Sequence, residues 1–319
     1  MSQGRPAVRG GQGKTRSDSC PEPAAAQSPS AAAPPRGAYR LLDTGGRARL
    51  EEVGPFRLER PAPVAFWPRG LTAADWDQVA ARYHRASDGG GQWEQLVPLP
   101  ESWVLEFGGL VWEIRPTGFG HLGLFPEQAE CWRWLADRLK SMGQERNPSV
   151  LNLFAYTGGS TLVCARAGAR VCHLDAAQGA VAWARRNAAL SGLAQAPVRW
   201  VVDDVVKFVR REQRRGSRYN GLILDPPSFG RGAKGEVWKI EDDLPALLEG
   251  CRALLAPGPA FLLLSCHSPG FTPRVLLNLL RACWSGAGGQ FDAGEMVVEA
   301  GPGGTDLPSG TYSRWWRGA

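Results

Sequence analysis

The chain has 319 residues, 43% of them hydrophobic and 21% charged, with a net charge of +6. That is enough for two domains, or one large one, with a real core, and the composition is that of a globular protein. Apolar runs such as 259–264 are too short to span a bilayer, and four histidines argue against a histidine-rich metal site.

Cys20, Cys131, Cys164, Cys172, Cys251, Cys266 and Cys283 show no zinc-ligand spacing and read as free thiols in a reducing compartment. The positive charge points modestly to an acidic partner, nucleic acid foremost. Residues 1–37 are rich in Gly, Ala, Pro, Ser and Arg without apolar periodicity, which predicts a disordered tail. The tail has no apolar core of a secretory signal, so a cytoplasmic location is expected. Its basic, acid-poor character leaves an organellar transit peptide as the alternative. Gly-Gln-Gly-Lys-Thr at 11–15 is not a P-loop: Val8 stands where the first glycine belongs, and no strand precedes it.

Residues 38–146 read as a small β-rich domain. Short apolar stretches at 56–58, 103–105 and 111–114 lie between Gly and Pro turns, and one helix is expected near 73–85. Trp67, Trp76, Trp93, Trp103 and Trp112 read as core anchors, with base stacking as the other use open to them. From 147 to 319 the pattern becomes strand, turn, helix. Strands are expected at 150–154, 170–174, 198–202, 221–224 and 260–264, with helices at 160–166, 177–190, 205–214, 240–255 and 273–284. Such alternation specifies a parallel sheet with right-handed crossovers. Segments 291–299 and 310–316 lack a helix between them and predict an antiparallel edge hairpin. The expected class is therefore α/β: a Rossmann-like, seven-stranded, mostly parallel sheet with an antiparallel C-terminal hairpin.

In an open α/β sheet the ligand lies beyond the carboxyl ends of the strands. Those ends carry Ala155-Tyr-Thr-Gly-Gly-Ser160, Asp175, Asp203-Asp204, Asp225-Pro-Pro-Ser-Phe229 and Ser265-Cys-His267, all on one rim. Glycines 158 and 159 would let the backbone approach a ligand. Asp175 lies near the spacing that puts an acid on ribose hydroxyls; a cap on the following helix is the plainer reading of it, and of Asp203 or Asp204. A dinucleotide fingerprint is absent, and so is the lysine of a phosphate loop. An adenosine cofactor without a pyrophosphate fits better.

These residues, with Asn152-Leu-Phe-Ala-Tyr-Thr-Gly-Gly159 and Leu264-Ser265-Cys266, resemble a class I S-adenosylmethionine-dependent methyltransferase. Within that class the chain is similar, over about 118–319, to the large-subunit ribosomal RNA cytosine carbon-5 methyltransferases and their bacterial relatives. The run Gly120-His-Leu-Gly-Leu-Phe-Pro-Glu-Gln128 resembles a segment those relatives carry before the cofactor domain. The resemblance implies S-adenosylmethionine lined by Phe154, Tyr156, Thr157 and Gly158, its ribose on Asp175 and its adenine on Asp204. It also implies RNA as substrate, without membrane or metal, its base facing Asp225, Pro226, Pro227 and Phe229. Cys266 would be a nucleophile adding to cytosine carbon 6, which makes carbon 5 reactive toward the methyl group.

Such a thiol needs a lowered pKa. His267 could activate it only if the strand ends by Ser265, because neighbours on a strand point to opposite faces. Unlike those relatives, the chain shows no PUA-type module, and His267 follows the cysteine where they carry serine. A second reading is base-nitrogen methylation on the Asp225–Phe229 loop with Cys266 structural, and a third is a non-catalytic RNA-binding protein on the same fold. Arg210, Arg211, Arg214, Arg215 and Arg218 precede the fourth strand and so lie away from the active rim. Arg231, Lys234 and Lys239 follow Phe229 and are better placed for phosphates.

Overall fold

The computed structural model describes Met1 and residues 37–86, 90–143, 147–231, 237–284 and 286–318. The expected tail, Lys234 and the side chain of Arg231 lie outside these described residues. Seven strands form the first sheet: β1 (Gly37–Gly45), β2 (Ala48–Val53), β3 (Phe56–Pro61), β4 (Ala81–Arg85), β5 (Gly91–Gln95), β6 (Trp103–Phe107) and β7 (Leu110–Ile114). Their order is β5-β4-β3-β2-β1-β6-β7. Neighbours are antiparallel except for the short parallel pairs β1/β6 and β3/β4. A two-residue turn closes β6 onto β7 at Gly108-Gly109, where positive φ at both residues matches the twist of the strands.

The helix expected at 73–85 is much shorter. Helix α1 covers Ala73–Trp76, started by a Thr72/Asp75 capping box, and β4 begins at Ala81. Strand pairing on both sides, to β3 and β5, overrides helix propensity there. All five tryptophans direct their indole N–H inward. Trp76 donates to Asp43, Trp103 to the Val53 carbonyl, Trp112 to Phe107, Trp93 to Thr117 and Trp67 to Thr44. Trp76, Trp103 and Trp112 are buried core anchors, and Trp67 and Trp93 are half-buried against the core.

A 3₁₀ turn (Pro126–Gln128) leads into α2 (Ala129–Met142), which the strand and helix patterns had not marked. Its buried stripe of Cys131, Trp132, Leu135, Leu139 and Met142 follows helical spacing. Trp132 stacks on Trp112 of β7 at 5.3 Å, so one apolar cluster runs from the first sheet to Val150 and Ile223.

The second sheet follows in strand–helix alternation: β8 (Ser149–Leu153), α3 (Gly159–Arg166), β9 (Arg170–Asp175), α4 (Gln178–Leu190), β10 (Val198–Val202), α5 (Val205–Arg214) and β11 (Gly221–Leu224). A two-stranded ribbon, β12 (Phe229–Arg231) with β13 (Val237–Lys239), stands between β11 and the next helix. Then come α6 (Ile240–Arg252), β14 (Ala260–Cys266), α7 (Pro273–Cys283), β15 (Gln290–Val298) and β16 (Leu307–Arg317). The order is β10-β9-β8-β11-β14-β16-β15, parallel from β10 to β14. The last strand inserts antiparallel between β14 and β15, so the hairpin forms the edge as expected.

Alternate residues of β14 serve the two faces. Phe261 and Leu263 join the cluster shared with α2 and α3, while Leu262, Leu264 and Cys266 pack under α6 and α7. Among the described residues no helix is long and apolar enough to cross a membrane.

Candidate active site

Strand order reverses between β8 and β11, and a cleft of about 1540 Å³ opens over their carboxyl ends. That exceeds the roughly 300–1,000 Å³ of ordinary small-molecule pockets, leaving room beside a cofactor. The second sheet supplies one wall; Arg49, Arg60 and Arg85 of the first sheet supply part of the other.

The chain leaves β8 through a strained turn. Phe154 and Tyr156 hold left-handed backbone at φ 56° and 44°, which costs about 1–3 kcal/mol each unless the surroundings enforce it. They do. Tyr156 N–H donates to Asp175 Oδ2 at 2.9 Å, Thr157 Oγ1 to the Gly123 carbonyl at 2.7 Å, and Asn187 to the Thr157 carbonyl at 3.0 Å.

The two glycines differ in purpose. Gly158 takes φ 95° behind the turn, where a Cβ would come within 3.1 Å of Ala184 Cβ. Gly159 lines the cleft, and a Cβ there would meet the Trp132 ring at 2.5 Å, so the protein itself needs the glycine.

Asp175 accepts from Tyr156 and Ala177 N–H, so it organises the turn and the start of α4 together. Burial pushes its pKa up, against those hydrogen bonds. Each oxygen keeps a lone pair for a further donor. Asp204 caps α5 through Lys207 N–H and also lines the cleft. Asp203 is committed to Arg211, at 2.6 Å, and to the Asp204 N–H.

Asp225, beyond β11, has a one-third exposed side chain and lies 3.6 Å from His267 Nε2. Gln128 Nε2 donates to its other oxygen at 3.1 Å. His267 Nδ1–H donates to the Ser309 carbonyl at 2.9 Å, and Glu127 stands 3.8 Å away. Burial works against a charged imidazole, yet the carboxylates of Asp225 and Glu127 outweigh it and hold His267 protonated well above its usual range. Burial likewise opposes the Asp225 carboxylate, but the imidazolium keeps its pKa below the ordinary value.

Pro226, Pro227 and Phe229 continue along the cleft. Trp238 of β13 fastens this loop by donating to the Pro227 carbonyl at 2.7 Å and packing on Phe154 at 5.1 Å. Lys239 sits outside the cleft lining, 3.9 Å from Asp242.

Cys266 is 1% exposed, in the apolar cluster under α6 and α7. Its sulfur accepts from Ser268 N–H at 3.4 Å, and burial pushes the thiol pKa up, with Asp225 and Glu241 adding to it. The suggested His267 activation of Cys266 does not form. β14 runs on through Cys266, which pairs with Thr311, and His267 turns to Asp225 instead. Sequence reasoning assigned no chemistry to Glu127, Gln128 or Trp238. Only the Gly120–Gln128 resemblance carried a signal for the first two.

The chain matches the family described as S-adenosylmethionine-dependent methyltransferase over residues 69–283, more than half its length. A crystal structure of a SAM-dependent methyltransferase from Agrobacterium tumefaciens superposes with a TM-score of 0.81 at 39% identity, covering 89% of this chain and 91% of that one. Among curated proteins, ribosomal RNA large subunit methyltransferase I of Aeromonas hydrophila is 32% identical over 177 residues, 51% of this chain and 41% of that protein. Ribosomal RNA large subunit methyltransferase K of Neisseria meningitidis is 27% identical over 216 residues, 67% of this chain and 58% of that protein. The chain thus spans less than two thirds of these curated relatives. The match over residues 69–283, on a sheet whose switch point carries a strained turn and a row of acids, identifies the chain as a member of the S-adenosylmethionine-dependent methyltransferase family.

Proposed function

We propose that this methyltransferase modifies a base in RNA, ribosomal RNA foremost, with the base held against Asp225, Pro226, Pro227 and Phe229. The observation that carries the reading is Asp225: a charged, one-third exposed carboxylate at the switch point, steadied by Gln128 and His267. The ribosomal names of the curated relatives, the +6 charge and the exposed Arg85 on the facing wall support RNA. Residues 147–319 serve as the cofactor domain, and 38–146 pack against it and complete the cleft.

The site fits S-adenosylmethionine. The lone pairs left on Asp175 suit ribose hydroxyls, Asp204 suits the adenine amino group, and Phe154, Tyr156, Thr157 and Gly158 form the turn beneath the methionine end. When bound, the cofactor supplies an electrophilic methyl group. Asp225 accepts a hydrogen bond from the base and so raises the electron density of the attacking atom, while Phe229 stacks on the ring.

This arrangement favours a base nitrogen as the acceptor, because Cys266 is buried and its thiol is pushed toward the protonated form. Transfer to cytosine carbon 5 through a Cys266 adduct is the second reading, favoured by the place of Cys266 in the cleft wall. The test is tritiated methyl transfer to RNA from cells lacking the gene. Asp225→Asn is expected to lose about 10²–10⁴-fold, while Cys266→Ala keeps its rate. Loss of transfer in Cys266→Ala, with cofactor binding intact, would establish the adduct route instead. RNA affinity is expected to fall as salt rises.

A further inference from the structure

We infer that Gln128 positions the Asp225 carboxylate, and that its side-chain oxygen accepts a hydrogen bond from an N–H donor on the substrate base. The inference rests on reading Asp225 as the base-facing group. Gln128 comes from the 3₁₀ turn before α2, not from the rim of the second sheet, and is 6% exposed. Its Nε2 lies 3.1 Å from Asp225 Oδ2 and 3.3 Å from Ser265 Oγ. Ser265 Oγ donates in turn to the Leu224 carbonyl at 3.4 Å, so its lone pair faces Gln128. A carboxylate can only accept, which fixes the amide orientation: nitrogen toward Asp225, oxygen away.

That oxygen, Oε1, is buried without a hydrogen-bond partner among the described residues, whereas Asp225 Oδ1 faces the His267 imidazolium at 3.6 Å. Gln128 therefore keeps one unpaired acceptor beside the anion it orients, in the wall of a cleft that both residues line. Buried acceptors left unpaired are costly, and a donor from a ligand completes them. The edge of a base bearing an amino or ring N–H group is that donor; an edge of carbonyls alone is not.

The backbone holds Gln128 in place. Its N–H donates to the Phe125 carbonyl at 3.1 Å, and the preceding segment is tied down by Thr157 on Gly123 and Arg60 on Gly120.

The experiment uses the full chain and the variants Gln128→Leu and Gln128→Met, the second nearly conserving shape without adding charge in case the first folds poorly. The Asp225 carboxyl is followed by its ¹³C resonance, assigned by its loss in Asp225→Asn. Removing the Gln128 N–H withdraws a hydrogen bond from the anion, so the Asp225 titration is expected to move up in both variants. Methyl transfer to RNA from cells lacking the gene should drop at least about tenfold in kcat/KM, with KM raised, while cofactor affinity by calorimetry changes less than about twofold. An unmoved Asp225 titration, or wild-type kcat/KM in a folded variant, overturns the inference. A wild-type protein that transfers no methyl group to RNA, yet shows the shifted titration in the variants, sinks the RNA reading and leaves the positioning role standing.

Discussion

The two sheets have the same number of strands and are built on opposite principles. The first pairs mostly chain neighbours as antiparallel hairpins, and its polar groups are settled internally. Glu51, for example, is fully buried against Arg60 at 2.6 Å and the Tyr39 hydroxyl at 2.8 Å. The second pairs distant strands in parallel, and helices bury both its faces. A parallel sheet sends all its strand ends to one rim, so polar residues from five strands meet there. A meander has no such rim. The first sheet contributes a wall and a few arginines; the second contributes the chemistry.

The comparison can be broken by asking whether the two sheets unfold together. Trp112 and Trp132 stack where they join, and Trp112→Ala is expected to cost about 3–5 kcal/mol, lowering a single cooperative transition in denaturant. Two separate transitions with only one displaced would show that the sheets are energetically independent.

Next in size is Glu51→Gln, which strands the buried Arg60 and should cost about 3 kcal/mol. Burial alone would raise the Glu51 pKa, but Arg49 and Arg60 overcome it and bring it down to about 2. This stabilisation is complete above the unfolded carboxylate value of about 4.3 and is lost as pH falls toward 2. Wild type should therefore lose stability through that window more steeply than Glu51→Gln, and equal slopes in acid denaturation would refute the assignment.

A third measurement separates the sheets by ligand. Adding S-adenosylhomocysteine at a hundredfold its Kd should stabilise the wild type by about 2.7 kcal/mol. Asp175→Ala should show little of this gain at the same concentration; a full gain would remove Asp175 from the cofactor site. The smallest effect concerns Asp204. Asp204→Ala loses the cap on α5, about 1 kcal/mol, while Asp204→Asn keeps the cap and tests the adenine contact alone by calorimetry.

The second sheet was legible because strand and helix periods alternate cleanly from 147 onward, and short turns leave few ways to connect them. The first was legible only in part. The stretch 73–85 looks helical by itself, and just the pairing of Ala81–Arg85 with strands on both sides makes it β4. Helix α2 has helical spacing at its buried positions, but Gln128 at its start makes no side-chain cap that would mark the boundary. At the site, Asp175, Asp204 and Asp225 could be picked out because a strand end followed by an acid is a local pattern. Gln128 and Glu127 could not, because they reach Asp225 and His267 across about a hundred residues of chain or more.

By itself the sequence determined the class of the cofactor sheet, its seven strands and the rim on which ligand-facing groups collect. These follow from periodicity and from the direction of the strands. Only the tertiary structure decided the state of each group. Cys266 and His267 are adjacent in the chain, yet one is buried under α6 and α7 and the other is charged between two carboxylates. Protonation depends on what folds against a side chain, and for His267 that company comes from 3₁₀ turn, strand end and loop together.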